Sequence, residues 1–210
     1  MRPVSDRPLI AVLDYGIGNL RSAQKGLERV GADARLTADR SIIDRAAGVV
    51  LPGVGAFGRC MEALRACGLE SAALDAVGSG RPFLGICIGM QLLFDRSDED
   101  PEARGLGVVP GSIHLLPDGV KRPQMQWNIL DVVRPSPMLE GLEDKAWVYF
   151  VHSYVPTPDD PEAVVATCDY GGTVVAAVET GNVFATQFHP EKSSTAGLRL
   201  LANFVDRARA

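Results

Sequence analysis

Cys87 is the residue of this sequence that is best placed to act as a nucleophile. It stands between two glycines, Gly85 and Gly89, after a short apolar run and before a stretch with helical spacing. Glycines at these positions permit the sharp strand-to-helix turn that leaves a nucleophile clear of the backbone. The first turn of a helix also favours the thiolate, because its amide hydrogens have no partner. The spacing predicts a nucleophilic cysteine, with a buried cysteine in a tight turn as the alternative.

A nucleophilic thiol needs a proton carrier, which is often a histidine. The sequence contains three histidines, His114, His152 and His189. Pro190 restricts His189 to an extended backbone, in which a residue and the second one after it point to the same side. Glu191 is therefore expected beside the imidazole, where a carboxylate fixes the tautomer and stabilises the imidazolium. We predict His189 as the base, with His152 as the other candidate and a solvated surface loop as the alternative for the His-Glu pair.

Alternating strands and helices would position these residues. Runs with β propensity that each precede a glycine-containing turn lie at residues 9–13, 47–51 and 82–86. Stretches with helical spacing follow them at residues 20–30, 56–77 and 88–96. This alternation predicts an α/β fold of three layers, in which a mostly parallel central sheet has helices on both faces.

The second half of the sequence changes character after an acidic loop at residues 97–105. Short β-rich pieces follow near residues 106–115, 127–133, 146–151, 163–168, 173–179 and 182–188. They predict a mixed or antiparallel β extension of the sheet. Residues 195–207 carry one apolar stripe and predict a closing helix. We expect a single domain over residues 9–208, preceded by a flexible tail at residues 1–8.

Composition and motifs exclude several classes of function. The chain has 210 residues and a formal net charge of −5, without the basic patch that nucleic acid or an anionic membrane attracts. No apolar run approaches the roughly 20 residues that span a bilayer, and we expect a cytoplasmic protein. The four cysteines form no C-x-x-C pair, and no metal-binding motif occurs. The Gly16-x-Gly18 turn has Arg21 in place of the third glycine of a dinucleotide-binding motif, so no cofactor is expected.

Two motifs of the sequence resemble the signatures of class I glutamine amidotransferases. Gly-Ile-Cys-Ile-Gly-Met-Gln at residues 85–91 and Phe-His-Pro-Glu at residues 188–191 are similar to the segments that carry the nucleophile and the His-Glu pair of that family. Other segments resemble, within this family, the glutaminase subunits of imidazole glycerol phosphate synthases of histidine biosynthesis. These segments are residues 14–20, 51–57, 90–93, 127–128, 150–154 and 189–193.

The resemblance implies the reaction and a role for each member of the triad. Cys87 would attack the side-chain amide of glutamine, His189 would protonate the leaving ammonia and then activate water, and Glu191 would orient the imidazole. The tetrahedral intermediate carries an oxyanion, which needs backbone amide donors. The amide of Ile88, next to the nucleophile, is one expected donor. The resemblance assigns the second donor to Val54, after a peptide flip that its neighbouring glycines permit.

Substrate contacts are expected from three further segments. Gly53 and Gly55 lie in a turn at the carboxyl end of a predicted strand, where open α/β sheets place their ligands. Gln91 lies one helical turn after the nucleophile and could reach bound glutamine, with an exposed helix position as the alternative. The resemblance assigns Ser153 and Tyr154 to the amino-acid end of the substrate.

The resemblance also implies a partner that consumes the ammonia. This partner is a (βα)8-barrel cyclase subunit, which forms a heterodimer with the glutaminase and makes imidazole glycerol phosphate and an aminoimidazole carboxamide ribotide. Asn19, Trp127, Tyr149 and Lys192 match positions of the family's interface. For the two aromatic residues, a place in the core is the alternative, because aromatic side chains in β-rich segments are usually buried.

Three other interpretations stay open from the sequence. The chain could be a glutaminase of another pathway, a thiol hydrolase of the same architecture with another substrate, or a partner-binding module whose triad is disabled. The presence of all three triad residues argues against the last. The sequence also differs from that family at Gln124 and Gln126. Pro-His-Met-Gly often precedes Trp-Asn in the family, whereas this chain has Pro-Gln-Met-Gln there.

Overall fold

The computed structural model describes residues 7–18, 20–142 and 145–210. The first half of the chain forms β1 (Leu9–Leu13), α1 (Leu20–Arg29), β2 (Asp33–Thr37), α2 (Arg40–Arg45), β3 (Gly48–Leu51), α3 (Phe57–Ala66), α4 (Leu69–Gly78), β4 (Phe83–Ile86) and α5 (Ile88–Gln91). The second half forms β5 (Arg96–Ser97), β6 (Asp100–Arg104), β7 (Gly111–Leu115), β8 (Gln124–Ile129), β9 (Asp131–Val132), β10 (Trp147–His152), β11 (Tyr154–Pro158), β12 (Val164–Asp169), β13 (Thr173–Thr180), β14 (Val183–Thr186) and α6 (Ser194–Arg207). Residues 1–6 of the predicted tail and the interface candidate Asn19 lie outside the described residues.

The central sheet is mixed, as the sequence predicts. Within the described ranges it has eight strands in the order β2-β1-β3-β4-β14-β13-β12-β9. The strands from β2 to β14 pair in parallel, and β13, β12 and β9 continue the sheet in antiparallel pairing. Strands β8 and β10 form a separate antiparallel pair, and β11, β7, β5 and β6 form a small second sheet. The predicted fold class is therefore confirmed.

Apolar side chains on both faces of the central sheet hold the helices. Ile10 of β1 belongs to the buried cluster that includes Leu27 of α1 and Phe204 of α6. The next residue, Ala11, belongs to the opposite cluster, which includes Ile43 of α2 and residues of α3 and α4. Successive residues of a strand point to opposite faces, so the two clusters lie on opposite sides of the sheet. Helices cover both faces, and the carboxyl ends of the parallel strands are left to form a site.

The predicted helix over residues 88–96 is wrong, because the helix ends at Gln91. An α-helix continues only if each carbonyl accepts from the amide four residues later. Here the carbonyl of Leu92 accepts from the amide of Leu106 at 2.8 Å, and the carbonyl of Leu93 accepts from the amide of Val108 at 2.8 Å. The returning chain takes these acceptors, so the helix cannot extend to residue 96. It ends earlier because the amides of Leu93 and Phe94 bond three residues back, to the carbonyls of Met90 and Gln91.

Two other expectations are also corrected. The stretch 56–77 forms two helices instead of one, because Gly68 has a left-handed conformation with φ of 69° between them. The acidic loop at 97–105 contains β6, which pairs with β5.

Three elements were not predicted: the strands β2 and β11 and the short helix α2. Helix α2 starts after Asp39, whose side chain accepts from the amide of Ser41. Within the described part of the chain, none of the helices has the length and apolar character that crossing a membrane requires.

Candidate active site

Cys87 lies on a sharp turn at the carboxyl end of β4. Its backbone has φ of 54° and ψ of −112°, a conformation that costs about 1–3 kcal/mol for a residue with a side chain. The amide of Cys87 donates to the carbonyl of Thr186 at 2.7 Å, which holds the turn against β14. The two glycines are needed for packing: a Cβ on Gly89 would lie 1.7 Å from the carbonyl oxygen of Leu51, and one on Gly85 would lie 3.0 Å from the carbonyl of Gly89.

His189 and Glu191 reach this turn because β14 is the parallel neighbour of β4. Thr186, at the end of β14, pairs with Ile86 next to the nucleophile. His189 follows three residues later, and its Nδ1 lies 2.8 Å from Oε1 of Glu191. Both side chains are buried, with 2% and 4% of their surface exposed. The solvated surface loop that remained as an alternative is therefore excluded for this pair.

The surroundings of His189 favour the protonated, positively charged form of its ring. Burial opposes that charge, but hydrogen bonding and charge interaction with Cys87 and Glu191 outweigh it and raise the pKa of His189 to about 10. Its Nδ1 faces the carboxylate of Glu191, and the buried Nε2 has no hydrogen-bond partner among the described residues. Nε2 is thus the atom that is left to exchange a proton with the thiol of Cys87.

Two buried glutamines connect the nucleophile to the opposite wall of the site. The side-chain amide of Gln187 donates to the sulfur of Cys87 at 3.8 Å. Gln91 donates to Oε1 of Gln187 at 2.9 Å and to the carbonyl of Tyr154 at 3.1 Å. Gln91 is only 2% exposed, so it does not occupy an exposed helix position. Its Oε1 is buried without a partner, an acceptor that a bound donor could satisfy.

A cavity of about 390 Å³ opens beside the nucleophile. Its lining includes the predicted residues Val54, Gly55, Cys87, Ile88, Gln91, Ser153, Tyr154 and Lys192. Gly53 does not line the cavity but lies directly behind Ile88, because a Cβ on Gly53 would be 3.4 Å from the Cβ of Ile88. The cavity lining thus includes the turn after β3, the turn after β4 and the start of β11.

Sequence reasoning missed two residues of this site, Gln187 and Glu99. Glu99 is the acidic residue in the cavity lining, and its carboxylate also accepts from the amide of Phe57 at 2.8 Å. It lies in the segment that was expected to be a solvated acidic loop, so no local signal distinguished it from its acidic neighbours. Gln187 could have been noticed, because it lies two residues before His189 in an extended segment and therefore points to the same side.

The other two histidines have partners of their own. His152 is buried, with Nδ1 at 2.8 Å from the carbonyl of Tyr154 and Nε2 at 2.8 Å from the side-chain amide of Gln124. Burial lowers the pKa of His152 to about 4, so the ring is neutral at neutral pH. His114 lies on β7 between Asp98 and Ser112. Both nitrogens of each ring are engaged, which leaves His189 as the base candidate.

The departure at Gln124 has a structural consequence, whereas the one at Gln126 has none. Gln124 is fully buried and lies between His152 and Cys168, whose sulfur is 3.9 Å from its amide nitrogen. It therefore fills the space behind the cavity with a hydrogen-bonded side chain. Gln126 is exposed on β8.

No group of three His, Cys, Asp or Glu suited to a metal ion occurs in the described ranges.

The interface candidates that can be described form one group beside the site. Trp127 of β8 pairs with Tyr149 of β10, and their rings meet edge to face at 6.0 Å. The ammonium of Lys192 lies 6.0 Å from the centre of the Tyr149 ring. Trp127 is 43% exposed, so the alternative of a core position is excluded for it. These three residues, which we call the aromatic face, have solvent on one side and His189 on the other.

Comparison with known proteins agrees with the fold and with the family that the motifs resemble. A family model described as glutamine amidotransferase class-I matches residues 11–208. A crystal structure of a glutamine amidotransferase superimposes with a TM-score of 0.76 at 24% identity, covering 96% of this chain and 99% of that one. PurLQS from Thermotoga maritima superimposes with a TM-score of 0.77 at 22% identity, covering 95% and 98%. The chain belongs to the class-I glutamine amidotransferases, a family of enzymes.

Closer relatives narrow this assignment. Subunit HisH of imidazole glycerol phosphate synthase from Syntrophotalea carbinolica is 51% identical over 205 residues, which is 94% of this chain and 100% of the relative. The same subunit from Methanothermobacter thermautotrophicus is 49% identical over 202 residues, which is 96% and 100%. Within the amidotransferases, the chain is a member of the HisH family, as the sequence motifs indicated.

Proposed function

We propose that this chain is the glutaminase subunit of an imidazole glycerol phosphate synthase. It hydrolyses glutamine to glutamate and ammonia and passes the ammonia to a (βα)8-barrel cyclase subunit. The observation that carries this proposal is the burial of Cys87, His189 and Glu191 together beside a cavity of about 390 Å³, in a chain with HisH relatives near 50% identity. A cysteine, a histidine and a carboxylate in this order are a nucleophile, a proton carrier and an orienting group.

The first half of the reaction releases ammonia. The sulfur of Cys87 forms a bond to the side-chain carbonyl carbon of glutamine, and the thiol proton resides on Nε2 of His189. The carbonyl oxygen becomes an oxyanion, for which the amides of Val54 and Ile88 are the proposed donors. Collapse of the intermediate breaks the C–N bond as His189 gives its proton to the leaving nitrogen. The products are ammonia and a thioester on Cys87.

The second half regenerates the enzyme. Neutral His189 takes a proton from water as the water oxygen attacks the thioester carbon. The C–S bond then breaks, glutamate leaves, and the proton returns to the pair of sulfur and imidazole. Glu191 stabilises the imidazolium in both halves, since it lies 2.8 Å from Nδ1. Its carboxylate keeps Nε2 as the working nitrogen.

The cavity offers complementary groups for the amino-acid end of glutamine. That end carries an ammonium and a carboxylate. Glu99 supplies a negative charge for the ammonium, and Lys192, which also lines the cavity, supplies a positive charge. We assign the backbone of Ser153, Tyr154 and the Gly53–Gly55 turn, with the side chain of Gln91, to the remaining polar contacts.

The aromatic face is the proposed contact with the cyclase subunit. Trp127 is exposed and Tyr149 half-buried, and tryptophan and tyrosine are side chains that dominate protein interfaces. Ammonia is useful to a second enzyme only while it remains unprotonated, so a site that releases it beside an interface suits direct transfer. The interface would consist of Trp127, Tyr149 and Lys192, together with Asn19 from outside the described residues.

The proposal also includes the organisation and location of the protein. We take residues 9–208 as one glutaminase domain that needs no metal or cofactor for this chemistry. We assign it to the cytoplasm, since its four cysteines are free thiols, which suits a reducing compartment.

Glutamine hydrolysis measured with and without the cyclase and its nucleotide ligand tests the proposal. We expect slow turnover alone, strong stimulation in the complex, and ammonia that appears in the cyclase product. Cys87→Ala should abolish glutamine-dependent product while added ammonium salt still supports the cyclase. Cys67→Ala, at an exposed thiol, is the matched control and should leave all rates unchanged.

Each alternative has its own outcome in this experiment. Fast hydrolysis without stimulation by this cyclase would point to another pathway. Absence of hydrolysis in a complex that still forms would point to a silent binding module. Hydrolysis of other amides or esters in preference to glutamine would point to a different thiol hydrolase.

A further inference from the structure

The turn that carries the proposed oxyanion donor Val54 rests on two buried side-chain donors. The hydroxyl of Tyr15 donates to the carbonyl of Pro52 at 2.7 Å. The thiol of Cys60 points to the carbonyl of Val54 at 3.8 Å, within the range of a sulfur hydrogen bond. Tyr15 is 2% exposed and Cys60 is fully buried. Both side chains lie beneath the turn and outside the triad.

The two donors hold the carbonyls on either side of a single peptide. The peptide between Gly53 and Val54 carries the amide that would face the oxyanion. Tyr15 fixes the peptide plane before it, through the oxygen of Pro52, and Cys60 fixes the plane after it, through the oxygen of Val54. With these planes fixed, the peptide between them can reorient mainly through opposite changes in ψ of Gly53 and φ of Val54.

We propose that Tyr15 and Cys60 are positioning residues for the oxyanion hole; this proposal rests on the proposed role of the Val54 amide. They confine any reorientation of the turn to the Gly53–Val54 peptide and hold its two ends in register with Cys87. An amide donor stabilises an oxyanion only when it is aimed in advance, because aiming it during the reaction costs free energy. Removing either anchor should therefore slow the chemical step.

The packing around the turn supports this role. A Cβ on Gly53 would lie 2.1 Å from the hydroxyl oxygen of Tyr15, so the hydroxyl is in direct contact with the backbone of the turn. Gly55 has φ of 124°, and a Cβ there would lie 3.6 Å from the sulfur of Cys60. The turn is thus closely packed against Tyr15 at Gly53, and it lies within ordinary contact distance of Cys60 at Gly55.

Burial also keeps both groups in their donor forms. It raises the pKa of Tyr15 far above its usual value, with smaller contributions from Cys60 and Cys87. Burial is also the main cause that raises the pKa of Cys60 to about 11. At neutral pH the first group is a hydroxyl and the second a thiol, and each can donate to a carbonyl. Cys60 is therefore a poor second nucleophile but a suitable anchor.

Tyr15→Phe tests the first anchor, because it removes one oxygen and keeps the ring. In the complex with the cyclase, we expect kcat for glutamine to fall about 3- to 10-fold, the effect of one hydrogen bond, with KM changed less than twofold. Alkylation of Cys87 by iodoacetamide forms no oxyanion and should keep its rate. An unchanged or increased kcat, or an alkylation rate that falls together with kcat, would overturn the proposal.

Cys60→Ala and Cys60→Ser test the second anchor independently. Alanine removes the donor and should lower kcat about 2- to 5-fold, whereas serine keeps a donor and should restore it. Equal kcat values for the two variants would contradict the role of Cys60, even if Tyr15→Phe should fail to fold. These outcomes are separate from those that test the proposed function, because they compare rates of a chain that still hydrolyses glutamine, whereas the proposed function fails by the results given above for the wild type and Cys87→Ala.

Discussion

The backbone amide of His189 donates to the carbonyl of Tyr149 at 2.9 Å. The amide of Tyr149 in turn donates to the hydroxyl of Ser193 at 2.9 Å, and that hydroxyl donates to the carbonyl of His189 at 2.6 Å. Both backbone groups of Tyr149 are therefore tied to the segment that carries the base. The aromatic face and the triad are joined by three hydrogen bonds, so any displacement of the Tyr149 backbone would be transmitted to the backbone of His189.

Trp127→Ala should weaken the complex with the cyclase and leave the isolated glutaminase nearly unchanged. Trp127 is 43% exposed and lies against the ring of Tyr149, whereas its contacts with the triad are indirect. We expect Kd to rise about 10- to 100-fold, as for a truncated aromatic anchor. Titration calorimetry would measure it. Leu74→Ala, at a 40% exposed residue of α4, is the control, and an equal Kd for both variants would contradict the assignment of this face.

Glu191→Gln should change the pH dependence of glutamine hydrolysis as well as its rate. Interaction with Cys87 and Glu191 raises the pKa of His189 against the effect of burial, so the imidazolium persists at alkaline pH. Without the carboxylate charge this pKa falls, and the alkaline limb of kcat/KM should move down by about 1–3 pH units. The expected loss in kcat is about 10- to 1,000-fold. Glu62→Gln on α3 is the control, and an unmoved alkaline limb would contradict the assignment.

Glu99→Gln should raise KM for glutamine more than it lowers kcat. The substitution removes a charge but keeps an oxygen that can accept from the amide of Phe57. A charged hydrogen bond to the substrate ammonium is worth about 1.5–3 kcal/mol, so KM should rise about 10- to 100-fold. Steady-state kinetics of Glu99→Gln beside Glu102→Gln, an exposed residue of the same hairpin, would measure it. Equal KM values would exclude Glu99 from substrate binding.

The sequence predicted the residues whose relation to one another is local. Glycines two positions on either side of Cys87 define its turn, and the extended backbone before Pro190 places Glu191 beside His189. The alternation of strands and helices in the first half likewise predicted the parallel part of the sheet. The roles of these residues in catalysis remain predictions that the experiments above would test.

The sequence could not predict the relations that arise from long-range pairing. Glu99 lines the cavity because the hairpin of β5 and β6 folds back onto α3, and its acidic neighbours carry the same local signal. Tyr15 reaches Pro52 because β1 and β3 are adjacent in the sheet. The helix after Cys87 does not extend to residue 96, because a distant segment uses the carbonyls of Leu92 and Leu93, which overrides helical spacing.

Gly89→Ala and Gly78→Ala should have opposite effects on stability. A Cβ on Gly89 would lie 1.7 Å from the backbone oxygen of Leu51, so β3 or the turn of Cys87 must move, at a cost of about 1–3 kcal/mol or more. Gly78 ends α4 with no atom near a new Cβ, and alanine there should stabilise by about 0.5–1 kcal/mol. Denaturant unfolding would measure both. A neutral Gly89→Ala would contradict the close approach at the turn.

His152 should make the folded state sensitive to mild acid. Its pKa falls from about 6.5 to about 4 on folding because burial disfavours the charged ring. A group whose pKa is depressed in the folded state contributes stability above its unfolded pKa and loses it as pH falls towards the folded value. Between pH 7 and pH 5 this residue alone should lower the free energy of unfolding by about 2 kcal/mol.

Urea unfolding of the wild type and of His152→Gln at both pH values isolates this contribution. The variant has no group that titrates at this position. Between pH 7 and pH 5, its free energy of unfolding should therefore decrease by about 2 kcal/mol less than that of the wild type. His114→Gln is the control, because His114 is partly exposed on β7 and its removal should leave the wild-type pH dependence in place. If His152→Gln lost as much stability as the wild type, protonation of this ring could not be a source of acid sensitivity. The buried ring, whose two nitrogens face the carbonyl oxygen of Tyr154 and the side-chain oxygen of Gln124, would then have to accept a proton without a cost in folding free energy.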